Sequence, residues 1–189
     1  MDTVTLDPPA AVIAERQRLG LDGRDEVWDG EYHMVPPASN EHQRVEMLLA
    51  FALMPVVDAV GLVIRPEIGL FDPDAPGDRD FRAPDLTIYH PEIGSERGAD
   101  GAASLVVEIR SPGDESFQKL PYFERLGVGE VLIVDRDTKA VRRWVNGDDG
   151  LIESEGDPVG HHRLACVPAT LHTDEGELVV TTEHDTNRI

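Results

Sequence analysis

The spacing of apolar positions divides the chain into short elements. Val45, Leu48, Leu49, Ala52, Leu53, Val56 and Val57 recur at helical spacing and predict a long core helix over residues 41–59. Asn40, with Gln43 three residues later, reads as a capping box at its start. Pro55 is expected to bend or shorten it. A shorter helix is predicted over residues 10–19, ending near Gly20. Residues 27–35 read as a hairpin around Asp29-Gly30, a dipeptide that favours the tight turn of paired strands, with Pro36-Pro37 ending the second strand.

Strands are predicted over residues 62–71, 84–90, 104–110 and 129–135. In the first, Pro66 marks an edge or a bulge. The run Leu105-Val106-Val107-Glu108-Ile109 is almost wholly apolar, as expected of a central strand. Residues 72–84 and 91–103 read as polar loops. Residues 114–126 read as a helix with the stripe Phe117, Leu120, Phe123 and Leu126, stopped by Gly127, although Pro121 fits poorly inside it. A helix between two apolar strands predicts a parallel crossover. From residue 138 onward the pattern predicts a small antiparallel addition.

The 189 residues predict one domain, with 10–172 as its main body and 173–189 as a C-terminal tail. With 40% hydrophobic and 29% charged residues, the composition is that of a globular chain rather than a disordered one. The formal charge is −20, which excludes a polybasic binder and requires any contact with nucleic acid to come from a local cationic cleft. A single cysteine, Cys166, and no basic start followed by an apolar run predict a reducing, cytoplasmic setting. The apolar runs are far shorter than the roughly 20 residues of a membrane span.

Two carboxylates stand out because strands place them. Asp85 opens one strand after a proline, and Glu108 sits inside an apolar one. If those strands are neighbours, two carboxylates and a backbone carbonyl suit a hard divalent cation. The plainer alternative pairs Glu108 with Arg110 and makes Asp85 a turn cap. The chain has two lysines, Lys119 and Lys139, against fifteen arginines. A lysine following Glu108 suits a compact ammonium role, while a surface pair with Glu115 is the plainer reading, worth about 0.3–0.5 kcal/mol. His161, His162 and Cys166 hint at zinc but lack the usual ligand set.

In order, Asp29-Gly30-Glu31, His42, Pro84-Asp85-Leu86, Leu105-Val106-Val107-Glu108-Ile109, Ser111-Pro112, Lys119, Tyr122, Gly127-Val128 and Leu132-Ile133-Val134-Asp135 resemble the Uma-type restriction endonuclease family, within the PD-(D/E)XK nuclease superfamily. The resemblance covers about residues 10–172. It implies an α+β fold with an α/β-type nuclease core: a mixed β-sheet flanked by helices, with an N-terminal hairpin and C-terminal antiparallel strands. It implies Mg²⁺ or Mn²⁺ held by Asp85, Glu108 and the carbonyl of Ile109. It makes Asp85, Glu108 and Lys119 the catalytic set, with Glu31, His42, Arg110 and Tyr122 as accessory residues. Two departures stand against the pattern. Arg110 occupies the position of the superfamily's strand lysine, on the same face as Glu108, and the stretch from Ser111 to Lys119 is short.

The expected function is therefore metal-dependent DNA hydrolysis, in a homodimer with no membrane association. The alternative is a non-catalytic acidic interaction protein that keeps the nuclease fold. Chemistry on a smaller phosphate substrate is a third possibility.

Overall fold

The computed structural model describes residues 9–20, 22–75 and 80–189, and the backbone of 4–6. Residues 76–79 of the predicted 72–84 loop thus lie outside the described residues. The elements run β1 (Val4–Leu6), α1 (Ala10–Leu19), β2 (Glu26–Trp28), β3 (Glu31–Met34), α2 (Asn40–Ala59), β4 (Val63–Pro66), β5 (Gly69–Phe71), β6 (Phe81–Arg82), β7 (Leu86–Tyr89), β8 (Gly98–Asp100) and β9 (Leu105–Arg110). There follow a 3₁₀ turn (Ser116–Lys119), α3 (Leu120–Leu126), β10 (Glu130–Asp135), β11 (Val141–Gly147), β12 (Gly150–Ser154), β13 (His162–Arg163), β14 (Ala169–Asp174), β15 (Glu177–Thr182) and β16 (Thr186–Arg188).

A six-stranded mixed sheet, in the order β12-β11-β10-β9-β7-β4, forms the centre. β9 is central, parallel to β10 on one side and antiparallel to β7 on the other. Alternation along β9 sends Leu105, Val107 and Ile109 to one face and Val106 to the other, each into its own apolar cluster. The first cluster is closed by α2, through Val45, Leu49, Leu53, Val56 and Val57, and by Leu171, Leu178, Val180 and Ile189. The second holds Tyr122 and Phe123 of α3, together with Leu70 and Ala99 of a second sheet. That sheet has the order β1-β3-β2-β6-β5-β8. Glu108 lies on the α3 side, so a carboxylate on an otherwise apolar strand is aimed at the seam between the two sheets.

Several expectations take a corrected form. The cap of α2 is Ser39, whose Oγ accepts from the His42 N–H at 3.2 Å, one residue before the expected Asn40. α2 runs through Pro55 to Ala59, because Pro55 lies on the exposed face, where water can satisfy the carbonyl its ring leaves unpaired. The expected strand 62–71 is two strands in different sheets, broken at Glu67, whose φ is +50°. The polar loops contain β6 and β8, too short to leave a periodic signal. The expected helix 114–126 is a 3₁₀ turn followed by α3, with Pro121 in the first turn of α3, where its missing N–H has no helical partner to lose. The C-terminal strands divide: β11 and β12 extend the central sheet, while β13 to β16 form a separate four-stranded antiparallel sheet. The hairpin of β2 and β3 is as expected, with positive φ at both Asp29 and Gly30.

Candidate active site

Asp85 enters β7 beside β9, and the register sets Leu86 opposite Val107. Asp85 is thereby held against the end of β9, and its Oδ2 accepts the backbone N–H of Ile109 at 2.6 Å. Its Oδ1 lies 2.8 Å from His42 Nε2, one turn into α2, and accepts from Arg24 Nη2 at 3.1 Å. Glu108 is 3% exposed. Both its oxygens accept from Lys119 Nζ at 3.0 Å.

Lys119 reaches Glu108 despite the short stretch behind it because that stretch ends in a 3₁₀ turn. A 3₁₀ turn advances about 2.0 Å per residue against about 1.5 Å for an α-helix. Asp114 fixes its start by accepting from the N–H and Oγ of Ser116 at 3.1 and 2.8 Å. Arg110 takes no part: its Nη1 donates to Asp135 at 3.0 Å and its guanidinium lies against the ring of Phe117. Of the two cations that compete for the lysine position, Lys119 is the one on Glu108.

Sequence reading missed Glu26. It lies on β2, is 2% exposed, and its Oε1 is 2.8 Å from Lys119 Nζ. Trp28 Nε1 donates to its Oε2 at 2.6 Å and the Ala83 N–H to its Oε1 at 2.9 Å. The available signal was a glutamate two residues before Trp28, on a strand of three residues. Glu31, chosen from the same hairpin, is exposed beside the turn, in a separate depression with Trp28, His33, Glu115 and Gln118. Tyr122 is buried and donates to the Leu70 carbonyl at 2.7 Å, tying α3 to the second sheet. Ile109 borders the cleft.

One cavity of about 120 Å³ brings the central groups together. Its wall includes Glu26, His42, Asp85, Glu108 and Lys119, with Arg24 and Arg136 at its sides. Burial raises the pKa of Glu108 well above the usual carboxylate range; Lys119 opposes this, while Asp85 and Glu26 add to it. Burial works against the charge of Lys119, but Glu108 and Glu26 outweigh it and hold its ammonium charged well past the ordinary range. The two shifts differ in origin: burial leads for Glu108, whereas the neighbouring carboxylates together outweigh burial for Lys119. Asp85 goes the other way. Burial raises its pKa, and the contact with His42 and the Ile109 N–H more than reverse this. Glu46, one turn beyond His42, is pushed up to about 7 by burial and by the charge of Asp85.

Among the described residues the group whose metal-binding atoms converge is His42, Glu46 and Asp85, all within 4.8 Å of one another. The hint of zinc at His161, His162 and Cys166 is not supported: among the described residues these three do not converge as a ligand group, and the ring of His161 lies tilted against that of His172. No described helix is long and apolar enough to cross a membrane.

The chain is similar to a protein from Anabaena variabilis whose crystal structure is described as that of a "putative nuclease belonging to DUF820": 15% identity, a TM-score of 0.55, covering 69% of this chain and 76% of that one. At that identity the likeness is one of fold. No curated protein matches the chain. The Uma2 family model, described as "Putative restriction endonuclease", matches residues 15–170, a stretch that contains every residue of the cleft. The chain belongs to the Uma2 family.

Proposed function

We propose that the chain is a metal-dependent DNA endonuclease that hydrolyses phosphodiester bonds, with Asp85, Glu108 and Lys119 at its centre. The observation that carries this reading is the meeting of two buried carboxylates from adjacent strands with one buried ammonium in a single cleft. The donor set fits a divalent cation, because buried carboxylates outnumber the cations around them and a cation would relieve that excess. Asp85, Glu108 and the Ile109 carbonyl would hold Mg²⁺ or Mn²⁺, all hard oxygen donors. Such an ion supplies a water of lowered pKa and offsets the charge that builds on the scissile phosphate.

The chain's own residues do the rest. His42 and the Ile109 N–H fix the orientation of Asp85. Lys119 stays an ammonium at cellular pH, so it donates hydrogen bonds to a water or a phosphate oxygen and does not remove a proton. Glu26 holds that ammonium from the other side. Arg24 and Arg136 offer guanidinium groups to flanking phosphates. In a chain of charge −20 these cations on one cleft supply the local attraction that DNA needs. The proposal keeps the homodimer expected from the sequence: Met47, Phe51 and Met54 leave an exposed apolar row on α2 that a second copy would cover.

Calorimetric titration of Mg²⁺ and Mn²⁺ tests the reading. Asp85→Ala and Glu108→Ala are each expected to abolish Mg²⁺ binding at the cleft. Binding unchanged in both would reject the assignment in favour of an interaction protein on the same fold.

A further inference from the structure

His42 and Glu46 are four residues apart on α2 and so share one face of the helix. Both are buried, and both turn toward Asp85 on the neighbouring strand. Asp85 Oδ2 is committed to the Ile109 N–H, which leaves Oδ1 facing His42 Nε2. Glu46 is 6% exposed, and its hydrogen bond from Gln43 Nε2 is 3.5 Å long, at the limit of such a bond. A carboxylate this buried and this weakly satisfied is costly unless something else completes it.

We infer that His42, Glu46 and Asp85 form a second cation site, selective for a divalent transition metal and sharing Asp85 with the oxygen-only site proposed on Glu108 and Ile109. Metal–ligand bonds to nitrogen and oxygen are about 2.0–2.2 Å, so neighbouring ligands of an octahedral or tetrahedral ion stand about 3.0–3.4 Å apart. The three ligand atoms already lie within 4.8 Å of one another, with His42 Nε2 2.8 Å from Asp85 Oδ1, and side-chain shifts of about an ångström, which open that pair and draw the wider ones in, complete the set. Arg24, the cation now on Asp85 Oδ1, also reaches Glu67 Oε1 at 2.7 Å and so keeps a partner when an ion replaces it.

The imidazole decides which ion. Mg²⁺ favours an all-oxygen shell and keeps its waters, whereas a nitrogen donor favours Mn²⁺, Co²⁺ or Zn²⁺. The two sites therefore differ in preference although they share a ligand, an arrangement that suits an in-line displacement clamped by two ions. The ligand set itself stands on the geometry of α2 and β7 and does not depend on the nuclease reading.

The test is titration of the EDTA-treated full chain with Co²⁺, followed by calorimetry and by the visible absorption that reports a nitrogen ligand. Wild type is expected to bind two Co²⁺ per chain. Glu46→Gln, close to isosteric, and His42→Asn should each lose one of them, weakened at least tenfold, with His42→Asn also losing the absorption change. Glu108→Gln should keep the imidazole-bearing ion. Wild-type number and affinity in both Glu46→Gln and His42→Asn, or no Co²⁺ bound by wild type, would overturn the inference. A wild type that binds one Co²⁺, lost in Glu46→Gln and kept in Glu108→Gln, supports this site and removes the one on Glu108.

Discussion

The ammonium of Lys119 is shared by two carboxylates from different sheets: Glu108 on β9, with both oxygens at 3.0 Å, and Glu26 on β2, with one at 2.8 Å. Glu26 has no place in the ordered set of residues from which the function was read, yet it is as close to the lysine as Glu108. Its carboxylate is a positioning group whose effect passes through Lys119. Glu26→Gln keeps the shape and removes the charge. It should lower plasmid nicking about 10–100-fold, the usual effect of losing a supporting partner. The acid side of the pH profile should move to lower pH, because the charge of Glu26 helps to raise the pKa of Glu108. A merely structural Glu26 would lower the amount of folded protein without moving the pH profile.

Arg110 and Lys119 can be separated in the same assay. Arg110 is tied to Asp135 and packs on Phe117, so Arg110→Ala should leave nicking within a few-fold of wild type. Lys119→Arg should not substitute for lysine. The side chain is 12% exposed, and the planar guanidinium is larger than the ammonium that fits between Glu26 and Glu108. A loss in Arg110→Ala as deep as that in Lys119→Ala would return the lysine role to the strand.

A second buried pair secures the C-terminal half of the chain. Glu130 on β10, 3% exposed at its side chain, is paired with Arg143 Nη2 at 2.6 Å and accepts the N–H groups of Ala165 and Cys166 at 2.7 and 2.9 Å. Arg143→Met leaves that carboxylate without its cation. The expected cost is about 3–5 kcal/mol, read by urea unfolding, because an uncompensated buried charge remains. Arg142→Met one residue away is the control. Its pair with Glu153 is half-exposed on both sides, and its loss should cost about 1 kcal/mol or less.

Cys166 lies under the same Glu130. Burial and that carboxylate push its thiol up to about 12, against an ordinary value of 9.0. The thiolate is the reactive form, so at pH 8 alkylation by iodoacetamide should be slower than that of a free thiol by about a thousandfold, three pKa units. The rate in the native protein should rise about tenfold per pH unit between pH 8 and 10, since the thiol remains largely protonated there. It should reach the free-thiol rate once the chain is unfolded in urea. Fast modification of the native protein at pH 7 would contradict the packing around β10.

The parts of the fold that could be read from the sequence are those with a long period or a strong turn. The helix of residues 40–59, the Asp29-Gly30 hairpin and the pair β9 and β10 all carry such signals. Asp85, Glu108 and Lys119 meet because β7 and β9 are neighbours and the crossover follows β9. Glu26 was hidden because β2 has only three residues, too few to show which side faces inward. Glu31 was an accessory residue implied by the resemblance, but the register pairs it with Trp28 at the exposed end of the hairpin. Glu46 was masked by the apolar residues around it on α2, where a single buried carboxylate does not disturb the helical period. The division of the C-terminal strands between two sheets was also not legible, since a hairpin's local pattern does not say which edge it joins.

The central claim is tested most directly by nicking of supercoiled plasmid at low salt with Mg²⁺ or Mn²⁺, using wild type, Glu108→Ala and Lys119→Ala purified side by side. The account predicts nicking by wild type that is lost in both variants and abolished by EDTA. Equal nicking by all three proteins, or none by wild type, would contradict it.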